Sequence, residues 1–153
     1  MTEYKKIIAQ NKQALFNYFI EERFEAGVIL KGSEVQSSRQ GKANITDSHA
    51  SNSGNEVFLY NCHISEYDKA HQLNHDSRRP RKLLLHTQEI KRIIGKIKLK
   101  GYTLIALALY FNSKNIIKVE LGLAKGKKLH DKRESIKERD WQREQSKLLR
   151  RKL

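Results

Sequence analysis

Cys62, His63, His75, Asp76 and His86 are the residues from which a hydrolytic or nucleolytic site would have to be built. A reaction site needs a base, a nucleophile and a charge stabiliser brought together, and the spacing of these five neither indicates that nor matches a metal-ligand motif. Cys62 reads as a small core residue, His63 as a half-buried strand residue, and His75 with Asp76 as groups that order a loop or touch RNA backbone. The run "GLAKGKK" at 122–128 lacks the GxxxxGK[ST] spacing of a phosphate-binding loop, so nucleotide hydrolysis is not indicated. The chain is expected to be no enzyme and to hold neither metal nor cofactor.

Charge is the stronger signal. In 153 residues, 31 Lys and Arg stand against 17 Asp and Glu, a formal +14, which attracts a polyanion and points to nucleic acid first. Residues 125–153 hold 12 of the basic and 5 of the acidic residues, half of the net charge in about a fifth of the length. There Arg139, Arg143, Lys147 and Arg150 can meet phosphates, and Trp141 and His130 can stack on bases. A helix in this tail has weak support of its own, because like charges meet four residues apart at Glu134/Glu138, Arg139/Arg143, Arg143/Lys147 and Asp140/Glu144. Ile136, Trp141, Leu148, Leu149 and Leu153 are too sparse to dock firmly. The tail is therefore expected to be disordered when free and helical when bound to RNA, the competing reading being a solubilising extension.

The elements that would position such groups are mostly strands. From Tyr18 to Leu30 the even positions carry most of the apolar residues, strand periodicity. In "KGSEVQSSRQG" Ser33 and Gln36 fit a capping box and predict a two-turn helix ending at Gly41. "SNSGN" links two β-prone runs as a hairpin. The polar stretch 65–81, with the only proline, Pro80, reads as a long surface loop. "TQEIKRIIGKIKLKG" is a helix with an Ile90, Ile93, Ile94, Ile97 stripe and a basic opposite face, Thr87 as its cap candidate. "YTLIALALYF" and "IIKVELGLA" form a second hairpin whose first strand, apolar on both faces, must be covered on both. The fold class predicted is mainly β with α: an OB-fold-like antiparallel barrel with flanking helices over residues 1–124, then the basic tail 125–153. The single Cys62 excludes an internal disulfide, the N-terminus lacks a secretory signal pattern, and "LIALALYF" falls short of the ~20 residues of a membrane span. The expected location is the cytoplasm.

Four stretches, "NYFIEERFEAGVILKGSEV", "GKANITDS", "NHDSRRPRKLLLH" and "GLAKGKKLHDKRESIKERD", resemble the SmpB family, the SsrA-binding proteins of bacterial trans-translation, in order from about Asn11 to the end. The resemblance implies an adaptor that binds the tRNA-like domain of transfer-messenger RNA, acts as a monomer one to one with it, and enters the A site of a stalled ribosome. It implies RNA-facing roles for Asn11, Lys12, Glu25, Arg39, Lys42, Asn44, Arg81, Lys82 and Leu84, and for Lys125, Lys127 and Lys128 at the root of the tail. His130, Asp131, Lys132 and Arg133 would sit near the decoding centre. Residues from Ile136 through Lys137, Arg139, Trp141, Arg143, Lys147 and Arg150 to Arg151 would line the empty mRNA channel. On residue chemistry alone Glu25 is a solvated strand carboxylate; only the resemblance makes it an RNA contact. This chain departs from the family pattern at Gln36, Ser38, His49 and Ser77. The other functional class left by the fold is a constitutive ribosomal or general single-stranded RNA-binding OB protein.

If Lys and Arg neutralise phosphates, binding releases condensed counterions, so affinity for RNA should fall steeply and linearly on a log–log plot against salt. A salt titration with a flat response would remove the electrostatic reading.

Overall fold

The computed structural model describes residues 5–151. Six strands close an antiparallel ring: β2 (Tyr18–Val28), β7 (Arg81–Leu84), β5 (Glu56–Tyr60), β4 (His49–Ser53), β8 (Tyr102–Phe111) and β9 (Ile117–Gly126), with β9 returning to β2. β4 occupies the early edge of β8 at Leu104 and Ile105, and β1 (Lys6–Gln10) takes the rest of that edge, from Ala108 to Phe111. β3 (Ala43–Asn44) and β6 (His63–Ile64) form a separate small sheet. The barrel interior is aliphatic, with Ala26, Val57, Leu59, Leu104, Ala106, Val119 and Leu121 all wholly buried.

The expected double burial of the "YTLIALALYF" strand is met, since Leu104 to Phe111 are all buried. Leu104, Ala106, Leu109 and Phe111 belong to the barrel core, while Ile105 and Leu107 pack outside it with Ala14 and Ala124, joined by Tyr18 and Ile20. Ala14 comes from the one-turn helix α1 (Ala14–Asn17), which covers this outer face. Register shifts at 20/22 in β2 and 106/108 in β8 bend the strands here and swap which side chains face inward. Gly122 makes the contact possible: a Cβ there would lie 2.9 Å from Leu107 Cδ1 and 3.2 Å from Ile20 Cγ2.

Both predicted helices are present, the first capped two residues and the second one residue earlier than expected. α2 (Gly32–Arg39) begins after Lys31, whose N–H donates to Glu34 Oε1 at 2.8 Å, while Ser33 instead pairs with His75. α3 (Thr87–Ile97) begins after His86, whose N–H donates to Glu89 Oε1 at 3.0 Å. Its isoleucine stripe faces the barrel, with Ile93 fully buried in the core and Ile90 and Ile97 packed against it.

The segment 65–81 is not the plain surface loop expected. After a short 3-10 turn, His71–Leu73, its His75 is 2% exposed and bridges Ser33 Oγ (2.8 Å) and the Ile64 carbonyl (2.9 Å). At its end Arg81 is wholly buried: its guanidinium donates to Glu34 Oε2, to the Cys62 carbonyl at 2.6 Å and to the Ser77 carbonyl at 3.2 Å. Arg79 reaches the other Glu34 oxygen. Arg81 is therefore turned into the protein, and its guanidinium is not on the surface where the resemblance would place an RNA contact. The same holds for Asn11, whose nearly buried amide donates to the Ala106 and Thr46 carbonyls at 3.1 and 3.4 Å.

Burial by itself would raise the Glu34 carboxyl's pKa, but Arg79, the Lys31 N–H and Arg81 together hold it below the ordinary carboxylate value. A carboxylate with a depressed folded pKa contributes stability above its unfolded pKa and loses that contribution as pH falls through the folded value. Glu34→Gln leaves a buried guanidinium without its counter-charge and should cost about 3–5 kcal/mol at neutral pH. Denaturant titrations across pH should also show the variant losing less stability on acidification than the parent; equal stability and equal acid profiles would refute the role given to Glu34.

Candidate nucleic-acid interface

The strand pairing that seats β7 beside β2 puts Leu84 opposite Gly27. A Cβ on Gly27 would lie 3.3 Å from Leu84 Cβ, so the glycine lets this 51%-exposed leucine lie close across the strand. Glu25, two residues earlier on the same outward face, borders with Leu84, His86, Glu89 and Lys118 a hollow of about 290 Å³. The Tyr110 hydroxyl donates to Glu25 Oε2, and the Lys5 ammonium sits 4.7 Å from the Tyr110 ring centroid. Tyr110 occupies one carboxylate oxygen, and a second acceptor oxygen is available in principle for base amino groups. Glu25 and Leu84, which the resemblance names together, border one hollow, although neither Gly27 nor Tyr110 was legible beside them. Glycine inside a strand pattern was the available signal for the first; the second is 85 residues from Glu25 and was not legible.

Lys82 points outward from β7 into an exposed ion pair with Glu56 at 3.0 Å. Such a pair contributes little and exchanges readily for phosphate. Arg39, Lys42 and Asn44 are exposed at the end of α2, just after it and on β3; the Asn44 Oδ1 accepts the Thr46 N–H at 2.9 Å. Lys12 is exposed beside Asn11. Burial above all pushes the Cys62 thiol up to about 11, which keeps it protonated, and no cluster of three or more His, Cys, Asp and Glu able to hold a metal occurs among the described residues.

The tail, expected to be disordered when free, is a 23-residue helix, α4 (Leu129–Arg151). Its root is held by the body of the protein. Lys127 donates its N–H to the Asn17 carbonyl (2.9 Å), and its ammonium donates to the Leu15 carbonyl (3.0 Å) and Ser135 Oγ (2.9 Å) while lying 4.9 Å from the Phe19 ring centroid. One turn farther on, the Arg139 guanidinium lies 5.8 Å from the Phe16 ring. Lys127 thus pins the helix and is not an uncommitted phosphate contact. Lys125 is exposed beside the Tyr102 ring, and Lys128 is exposed. Beyond the root, Arg133, Lys137, Trp141, Leu148 and Leu149 are exposed, Trp141 at 61%. Arg139, Arg143, Lys147 and Arg150 share one face around a shallow hollow of about 390 Å³. Spaced three or four residues apart, they rise about 4.5–6 Å per step and form a charged stripe along the outer half of the helix. His130, Asp131 and Arg151 belong to α4 by backbone, and their side chains, like residue 153 as a whole, lie outside the described set.

A family model described as SmpB protein matches residues 8–151. An SsrA-binding protein of Rickettsia felis is 75% identical over 152 residues, 99% of this chain and all of the relative, and one of Rickettsia massiliae is 74% identical over the same span. A chain of a solved structure described as "tmRNA-SmpB: a journey to the center of the bacterial ribosome" is 45% identical and superposes with a TM-score of 0.68, covering 83% of this chain and 92% of that one.

Because its root contacts hold α4, Phe16→Ala with Lys127→Ala should lower helix content by circular dichroism while leaving the barrel's unfolding transition nearly unchanged. A peptide of residues 129–153, lacking α1, should be mostly coil. Equal helicity of the peptide and the intact tail would discount the anchor.

Proposed function

The chain belongs to the SmpB protein family, and on that premise we propose that it is the adaptor that binds SsrA RNA, the transfer-messenger RNA, and brings it to stalled ribosomes for trans-translation. Its partners are that RNA and the ribosome, as the relatives' name and the ribosome-bound structural neighbour support. The observation that carries the reading is the pairing of a rigid outward face, Glu25 and Leu84 seated over Gly27, with a separate cation-striped helix at the end of the chain. The first offers a preorganised hollow to one folded RNA element; the second offers charge to another.

In this proposal residues 1–124 form the RNA-binding unit and 125–153 the ribosome-binding tail. Glu25 accepts from base amino groups, Leu84 provides an apolar pad, and Lys12, Lys82, Lys125 and Lys128 meet backbone phosphates, with Arg39, Lys42 and Asn44 as a second patch. His130, Asp131, Lys132 and Arg133 seat the first turn of the tail at the decoding centre, and the Arg139–Arg150 stripe follows the empty mRNA channel. The chain acts in the cytoplasm, as one copy per RNA, and performs no reaction of its own.

The two units separate experimentally. Glu25→Ala with Leu84→Ala should weaken binding to the tRNA-like domain about tenfold or more, since a hydrogen bond to a charged group and an apolar contact are both lost. Deleting 130–153 should scarcely change that affinity at moderate salt yet stop peptide transfer on stalled ribosomes in a reconstituted assay. A truncated chain that rescues ribosomes at the normal rate would return the tail to a solubilising extension.

A further inference from the structure

On the outward face of the β4–β5 hairpin three rings form a row. His49 and Tyr60 are paired across the hairpin and stacked, with centroids 5.6 Å apart and planes at 22°. Phe58, two residues before Tyr60 and so on the same face, lies 6.4 Å from it. None belongs to the core: His49 is exposed and the other two are half-buried, so each keeps ring surface in solvent. The barrel interior is filled on this strand by the alternate residues Val57 and Leu59, so the outward rings are not needed to pack it.

The surroundings select the occupant. Lys82 is paired opposite Phe58 across β5–β7, and Arg78 donates to Asn61, the residue after Tyr60. The nearby carboxylates, Glu56 in its exposed pair with Lys82, Asp47 two residues before His49, and Asp76, which accepts the Arg78 N–H at 3.0 Å, are all on the surface, where solvent screens them. Rings flanked at both ends by cations match a run of bases joined by phosphates, since every base has a π-face and stacking tolerates any sequence. The row is also continuous with the hollow described above, because Lys82 and Leu84 project from the same side of β7.

We propose that His49, Tyr60 and Phe58 form a stacking platform for unpaired nucleotides of the bound RNA, with Lys82 and Arg78 taking the flanking phosphates. The proposal rests on the reading that this chain binds SsrA RNA and adds a second contact beside the Glu25–Leu84 hollow.

The test uses the full-length chain and the tRNA-like domain of SsrA RNA. His49→Leu with Tyr60→Leu keeps apolar bulk on the hairpin but removes two π-faces, and should lower affinity about five- to a hundredfold. His49→Tyr with Tyr60→Phe, which keeps the rings, should bind like the parent. In the unaltered protein the ring proton signals of His49 and Tyr60 should shift on adding RNA, a readout that stands even if the leucine pair folds poorly. Unshifted ring signals, or a folded leucine pair with parental affinity, would overturn the platform. Glu25→Ala with Leu84→Ala in the same assay reports on the hollow independently: loss there with none at the rings defeats the platform alone, and an unaltered chain that binds no RNA defeats both readings.

Discussion

The fold turns on one carboxylate placed where charge is ordinarily excluded. Glu34 is wholly buried on α2 and holds two arginines from the far end of a long connection, one of them, Arg81, equally buried. Charges taken out of water are tolerated only when their hydrogen bonds are complete, and Arg81 completes its set with the Cys62 and Ser77 carbonyls. The consequence is register. With Arg81 inside, Lys82 must point out, Leu83 in and Leu84 out, and a slip by one residue would bury Leu84 and expose the guanidinium. β7 is only four residues long and pairs with β2 and β5 on its two sides, so hydrophobic pattern alone would hold it weakly. The buried ion network thus fixes which side chains of β7 reach the outer surface, although it touches nothing there.

Barrel closure imposes the second constraint. Two long strands, β8 and β9, must turn sharply enough to meet β2 on one side and β4 on the other, and bulges supply that bend. Their cost is a patch of apolar side chains thrown to the outside, Ile105, Leu107 and Ile20, which α1 then covers. The helix that hides this patch is also the one that pins α4. Leu15, Phe16 and Asn17 receive Lys127 and Arg139, so the departure of the tail is tied to the same corner of the barrel that the bulges create.

What the sequence made legible divides along the range of the interactions. Period-two alternation in β2 and the isoleucine stripe of α3 are local patterns and were read correctly, as was the two-faced burial of β8. Glu34 was hidden because a carboxylate in "KGSEVQ" looks like a solvated helix residue; its partners are 45 and 47 residues away. Arg81 misled for the same reason, being a basic residue in a basic stretch. The tail's like-charge spacing was legible, whereas the ring contacts at its root, Lys127 on Phe19 and Arg139 on Phe16, join residues 108 and 123 positions apart and leave no local pattern. Of the departures from the family pattern, His49 keeps a ring stacked on Tyr60, whereas Ser38 puts a hydroxyl at 1% exposure with no protein partner among the described atoms.

These constraints give the two halves of the molecule different physics. The barrel face is preorganised: Gly27, Leu84, Tyr110 and Glu25 are held by strands on both sides, so binding there orders little and its energy goes into recognition. α4 is the opposite case. Past its root it buries almost nothing, and the cations that would bind phosphate repel one another along the helix, at Arg139/Arg143 and Arg143/Lys147. Phosphates placed along that stripe would relieve the repulsion and stabilise the helix in the same step, so tail binding and tail order are one equilibrium. Acid–base spacing three residues apart, as in Glu134/Lys137, Asp140/Arg143 and Glu144/Lys147, keeps the free helix near balance. On the division of roles proposed above, a barrel contact that is always ready and a tail contact that strengthens only against a second polyanion would set an order: one RNA held first, and the tail committing where a further phosphate-lined surface comes within reach.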